Sequence, residues 1–223
     1  MKVGTDSLIL GSWVQTDGHQ RMLDVGTGCG LLALMLAQRS ALTAHIDAVE
    51  IDVDAARQAT ENVRQSPWPE KISIIPGAVQ DFQYTKPYSL IVSNPPYFTH
   101  SAKATRAYEQ QSPARHTARQ QAGLSPSALF AFARQALTRD GELVCLYPTD
   151  SRQHIIEAAG ANGLALSSSL SVSHRADCVP YVTVFHFSHN ASDVSEHSLF
   201  VRDLDGQYSA AFRQLCQPFY LNF

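Results

Sequence analysis

Residues 23–39 read LDVGTGCGLLALMLAQR. The apolar run 21–25 (RMLDV) ends in three glycines within five positions, followed by nine residues with no helix breaker. A strand that turns through glycine into a helix is the first half of a βαβ unit. The spacing is Gly26-x-Gly28-x-Gly30, and Leu31 stands where a dinucleotide fingerprint requires its third glycine. Asp24 lies at the start of the loop; a carboxylate there repels a pyrophosphate but favours a cationic ligand. S-adenosyl-L-methionine, with its ammonium and sulfonium and no phosphate, suits such a loop.

The pattern continues outward from this loop. HIDAVEI (45–51) alternates as a strand, and DVDAARQATENVRQ (52–65) is an amphipathic helix closed by the prolines of SPWPE. KISIIPG (71–77) and YSLIVSN (88–94) are further strands. SPSALFAFARQALTRDG (125–141) reads as a helix capped by Ser125 or Ser127 and ended by Gly141, and ELVCLYP (142–148) as a fifth strand. Helix SRQHIIEAAGAN (151–162) and strands LALSSSLSVS (164–173) and PYVTVFHFS (180–188) follow. The link His174–Val179 is too short for a parallel crossover, so the last two strands form an antiparallel pair. The tail adds SLFVRD and a helical YSAAFRQLCQ.

The fold class expected is α/β, a Rossmann-like, mostly parallel seven-stranded sheet with one antiparallel strand near the C-terminal edge. One domain is expected over 1–223, with an N-terminal segment 1–15 and a C-terminal extension 190–223.

Composition removes several classes of function. With 44% hydrophobic and 17% charged residues, wholesale disorder is excluded. The four cysteines Cys29, Cys145, Cys178 and Cys216 form no CxxC pair, which suggests neither zinc nor a disulfide framework, and fits a reduced, cytoplasmic protein. No metal is expected: His45, His154, His186 and His189 show no ligand spacing and read as structural or exposed. No apolar stretch approaches membrane-spanning length, so no membrane partner is expected. Trp13 and Trp68 read as packing residues.

Three positions beside the glycine loop carry the chemistry. Glu50 closes the second strand, where a carboxylate accepts from ribose hydroxyls, against the plainer reading of a solvated glutamate. Asp81, after the third strand, is a candidate for the adenine ring or an exposed loop acid. The fourth strand runs into Asn94-Pro95-Pro96-Tyr97. An amine on a heteroaromatic ring is a poor nucleophile because its lone pair is delocalised. The Asn94 side-chain oxygen and the Pro95 carbonyl, held by proline-fixed backbone, favour a pyramidal nitrogen with a free lone pair. Tyr97 stacks on the ring, worth about 1–3 kcal/mol per base, assisted by Phe98. The alternative is a proline-rigidified turn over buried aromatics.

These motifs resemble the class I S-adenosylmethionine-dependent methyltransferases, whose NPPY members methylate a planar nitrogen of adenine, guanine or a glutamine amide. The opening MKVGTDSLILGSW and the ending YSAAFRQLCQPFYLNF narrow the likeness, with LDVGTGCGLLALMLAQR, IDAVEI, ENVRQSPW and ARHT between them. Together they resemble, over essentially the whole length, the bacterial tRNA adenine-N6 methyltransferases acting on adenine 37, 3′ of the anticodon of a valine tRNA. The resemblance implies that Gly4, Thr5 and Asp6 lie over the cofactor's methionine moiety. Asp24, Gly26 and Gly28 are then cofactor-binding with Glu50 and Asp81, although Ala78 stands where related enzymes often carry an acid. Members of that family also carry a segment upstream of Met1, and its loss would remove part of a lid.

Between Thr99 and Arg119, Lys103, Arg106, Arg115 and Arg119 face only Glu109, a basic stretch in a chain of net charge −3. Such a loop suits the phosphates of a tRNA anticodon stem-loop presenting a flipped base. A monomer is expected. The rivals are methylation of a protein glutamine amide or of guanine N2 in ribosomal RNA, a non-catalytic RNA-binding module, and a nicotinamide oxidoreductase, which Leu31 disfavours.

Overall fold

The computed structural model describes residues 4–96, 124–190 and 193–220. Helix α1 (Thr5–Trp13) precedes strand β1 (Arg21–Val25), helix α2 (Leu31–Arg39), strand β2 (His45–Glu50) and helix α3 (Val53–Arg64). Strands β3 (Ile72–Pro76) and β4 (Tyr88–Ser93) follow. Then come helix α4 (Pro126–Ala136), strand β5 (Leu137–Pro148), helix α5 (Arg152–Ala161) and strands β6 (Ala165–Arg175), β7 (Val182–Ser188) and β8 (Ser195–Arg202). Helix α6 (Ala210–Cys216) comes last.

The strands form one sheet in the order β3-β2-β1-β4-β5-β7-β6-β8. All run parallel except β7, which is antiparallel to β5 and β6. Among the described residues the expected seven strands are therefore eight. The tail segment containing SLFVRD pairs parallel with β6 from Ser168↔Ser195 to Arg175↔Arg202. It covers the row of backbone N–H and C=O groups that β6 would otherwise leave open.

The fifth strand also begins earlier than its sequence suggests. Helix α4 is capped by Ser125, whose hydroxyl accepts from the Ala128 amide, but it stops at Ala136 rather than at Gly141. Leu137 already pairs with Tyr88 of β4, so tertiary pairing overrides the local helical preference. Gly141 lies in the strand, where a Cβ would come within 2.9 Å of the Tyr88 carbonyl.

Each face of the sheet has its own core. Leu8, Ile9 and Leu10 of α1 pack with Leu32, Met35 and Leu36 of α2, Phe212 of α6 and the strand residues Met22, Ile46, Leu90 and Val144; Trp13 and Trp68 lie against this cluster. The opposite face joins Leu129, Phe130 and Ala133 of α4 and Ile155 and Ala159 of α5 to Leu23, Ile91, Leu143 and Phe185. The alternation of faces along β1 (Met22 one way, Leu23 the other) is the period-two signature of a strand buried on both sides.

The strand order reverses between β1 and β4. A cleft outside their carboxyl ends is where an open α/β sheet binds its ligand. The glycine loop follows β1, and Asn94 follows β4.

Candidate active site

The loop after β1 is held from two sides. The amides of Gly26 and Thr27 donate to the Val49 carbonyl at 2.9 and 3.1 Å, tying the loop to β2. Asn62 of α3 donates Nδ2 to the Cys29 carbonyl at 2.8 Å. Gly26, Gly28 and Gly30 have φ of 73°, 61° and 86°. These are left-handed values at which a side chain is strained.

Asp24 is fully buried at the end of β1. Its Oδ2 accepts from the Thr27 hydroxyl at 2.5 Å and the Ala33 amide at 3.1 Å. Its buried Oδ1 has no partner among the described residues. Burial pushes this carboxyl up to about 7, against the opposing pull of the Thr27 and Ala33 hydrogen bonds. An acid left half-ionised near neutrality, with one oxygen unsatisfied, favours a cation brought beside it.

Glu50 is buried at the end of β2. Its Oε2 accepts from the Gly28 amide at 2.7 Å and its Oε1 from the Asp52 amide at 2.8 Å. Each carboxylate oxygen keeps a lone pair for a further donor. Asp52 in turn caps α3, accepting from the amides of Asp54 and Ala55 at 3.0 Å each.

Asn94, one residue past β4, is half-buried. Its Nδ2 donates to the Ser7 hydroxyl of α1 at 2.8 Å. Its Oδ1 is buried and has no partner among the described residues. Pro95 is buried and Pro96 exposed. Ser93, just before, donates its hydroxyl to the Val25 carbonyl at 2.9 Å, which locks the end of β4 to the root of the glycine loop.

The sheet thus brings Asp24, Gly26, Gly28, Glu50, Asn94 and Pro95 to one edge. Gly4 and Thr5 are exposed at the start of α1, and Asp6 accepts from the Tyr181 hydroxyl at 3.1 Å. Asp81 is exposed on the turn Val79–Asp81 that follows β3, the strand beside β2 whose Pro76 pairs with Glu50. Tyr97, Phe98, Lys103, Arg106, Arg115 and Arg119 lie outside the described residues. Sequence reasoning missed Ser7, Thr27, Asn62 and Tyr181, which hold the others in place. Ser7 and Thr27 each adjoin a residue that was singled out, and that adjacency was the only available signal.

Comparison with known proteins fits this arrangement. Residues 2–117 match the methyltransferase small domain family. The tRNA1(Val) (adenine(37)-N6)-methyltransferase of Tolumonas auensis is 41% identical, covering 99% of this chain and 90% of the relative. The chain belongs to the tRNA1(Val) (adenine(37)-N6)-methyltransferase family. The enzyme of that name from Aeromonas hydrophila is 39% identical over 99% of this chain and 91% of its own length.

Among solved structures, a predicted O-methyltransferase from Agrobacterium tumefaciens superposes with a TM-score of 0.68 at 16% identity, covering 96% of both chains. A TehB-like SAM-dependent methyltransferase from Corynebacterium glutamicum gives 0.53 at 16% identity, covering 85% of this chain and 89% of that one. At these identities the two share the fold of this methyltransferase. The eight-stranded sheet with β7 reversed is accordingly a class I methyltransferase sheet extended at its C-terminal edge by β8.

Proposed function

We propose that this methyltransferase transfers the methyl group of S-adenosyl-L-methionine to N6 of adenine 37 in tRNA1(Val). The observation that carries the reading is Asn94 Oδ1, a buried acceptor without a described partner, on a side chain whose nitrogen is already engaged by Ser7.

The residues present fit the cofactor. The orphaned Asp24 Oδ1 suits its ammonium, the remaining lone pairs of Glu50 suit its ribose hydroxyls, and among the described residues nothing beyond its chain neighbours lies within 4 Å of a Cβ built on Gly26. S-adenosylmethionine supplies a methyl group already bonded to a cationic sulfur, so the acceptor need not be deprotonated first. The chain's own work is to orient the amine. Asn94 Oδ1 and the Pro95 carbonyl accept its two hydrogens, and the lone pair is drawn out of the ring toward the methyl carbon. The surplus proton of the new ammonium passes to solvent. Tyr97 and Phe98 supply stacking for the flipped base, and Lys103, Arg106, Arg115 and Arg119 its phosphate contacts.

The test is methyl transfer from labelled donor to unmodified tRNA1(Val), with total RNA and ribosome-associated proteins offered in parallel. N6-methyladenosine at position 37 is expected. Asn94→Ala is expected to abolish it while leaving cofactor affinity within a few-fold. Label in a protein glutamine or in guanine, or full turnover in Asn94→Ala, would overturn the reading.

A further inference from the structure

We propose that Ser7 is a positioning residue for the methyl-transfer site: its hydroxyl holds the Asn94 amide so that Oδ1 faces the acceptor amine. This assignment rests on the reading of Asn94 given above. An asparagine amide turns about a broad, roughly two-fold torsion. Its two ends are opposite in kind, since Oδ1 only accepts and Nδ2 only donates. Turned one way, Asn94 meets the amine with an acceptor; turned the other, it meets N–H with N–H. A hydroxyl can accept from Nδ2 or donate to Oδ1, so what Ser7 fixes is where the amide lies; in the arrangement observed Nδ2 donates to Ser7 Oγ at 2.8 Å, across 87 residues of sequence, which leaves Oδ1 for the amine.

A hydroxyl holds an amide in place only if its own position is fixed, and α1 is anchored at both ends. At the carboxyl end, Arg39 Nη1 of α2 donates to the carbonyls of Gly11, Ser12 and Val14 at 3.0, 2.8 and 2.8 Å. At the amino end, Asp6, adjacent to Ser7, accepts from the Tyr181 hydroxyl, and the Tyr181 ring stacks on His174 with centroids 4.1 Å apart. Between the ends, Leu8, Ile9 and Leu10 are buried in the core. Ser7 therefore stands on a helix that the sheet, α2 and the β6–β7 turn hold in register with Asn94. The segment that opens the chain acts on the acceptor side of the reaction, not only over the cofactor.

The experiment compares Ser7→Ala, Ser7→Val and Ser7→Thr, the last two differing in the hydroxyl but hardly in shape. Ser7→Ala and Ser7→Val are expected to lose about tenfold to a hundredfold in kcat with KM for S-adenosylmethionine unchanged. Ser7→Thr should recover most of the rate. Equal rates in all three, or losses that follow melting temperature and cofactor affinity rather than the hydroxyl, would overturn the assignment. A second readout needs no turnover: the side-chain amide protons of Asn94, identified in 15N spectra by their absence in Asn94→Ala. They are expected to be protected from exchange in the wild type and in Ser7→Thr, and to lose that protection in Ser7→Ala and Ser7→Val. Unchanged amide signals would overturn the proposal even if the acceptor proved not to be adenine 37. A wild type inactive on tRNA, with the amide signals behaving as expected, would instead count against the substrate alone.

Discussion

The Gly28 amide donates to Glu50 Oε2 at 2.7 Å, so the acid at the end of β2 holds the middle of the glycine loop after β1. The other oxygen of the same carboxylate accepts from Asp52, at the start of α3. Both oxygens are needed as acceptors. Glu50→Gln offers one acceptor and one NH2 group, and the NH2 must face either Gly28 N–H or Asp52 N–H. A loss of about 1–3 kcal/mol is expected from the unsatisfied pair, together with weaker cofactor binding. Urea unfolding and calorimetric titration of S-adenosylmethionine, run on the same preparation, check the two effects.

With Asp24 in the cofactor site proposed above, cofactor binding is expected to be proton-linked. Its carboxyl lies at about 7 in the folded chain, above the ordinary 3.8. The native state therefore holds a proton between those values that the unfolded chain has released. Stability of the cofactor-free protein falls as pH rises through that window, from about 4 to about 7. A cation beside Oδ1 favours the ionised form, so binding releases up to one proton and affinity rises by at most about tenfold per pH unit below 7. Titration in buffers of different ionisation heat measures the proton directly. Asp24→Asn should flatten the pH dependence, weaken binding and stabilise the free protein.

Gly26 and Gly30 separate strain from contact. Both have positive φ, so alanine at either costs roughly 1–2 kcal/mol in backbone strain. The Cβ of Gly30→Ala would sit 3.4 Å from Ala59 Cβ, an ordinary contact with α3, whereas that of Gly26→Ala would enter open space. Similar losses of stability are expected from the two. A further loss of cofactor affinity is expected for Gly26→Ala alone, because the function proposed above seats the cofactor in that open space. Melting temperature with and without S-adenosylmethionine distinguishes them.

What the sequence disclosed depends on the range of each interaction. The glycine loop, Glu50 and Asn94 each end a strand, and strand ends are marked locally by period-two burial, glycine and proline. Helix α2 over Leu31–Arg39 was legible for the same reason. The end of α4 was not, because Leu137 is taken into the sheet by Tyr88, 49 residues earlier in the chain. Strand β8 was visible as an apolar stretch, but its place beside β6 is a register that no local pattern encodes. The same holds for the supports of the site: Ser7 reaches Asn94 across 87 residues and Tyr181 reaches Asp6 across 175.

Arg39 and Lys71 supply the last prediction, because each closes a different helix by the same means. Arg39 Nη1 satisfies three carbonyls at the end of α1. The largely buried Lys71 Nζ donates to the Ala37 and Ser40 carbonyls and the Ser40 hydroxyl at the end of α2, at 2.7, 3.1 and 2.9 Å. A cation at a helix carboxyl end satisfies orphan carbonyls and opposes the dipole. Arg39→Met and Lys71→Met each leave such carbonyls unpaired, at a cost of about 1–3 kcal/mol. Only α1 carries Ser7. At a temperature well below both melting points, Arg39→Met should therefore lower kcat through Ser7 and Asn94, while Lys71→Met should leave kcat near the wild-type value. Urea midpoints at constant m establish that the two are comparably destabilised. A kcat that falls equally in both would mean that general loosening, rather than the placement of α1, limits the rate.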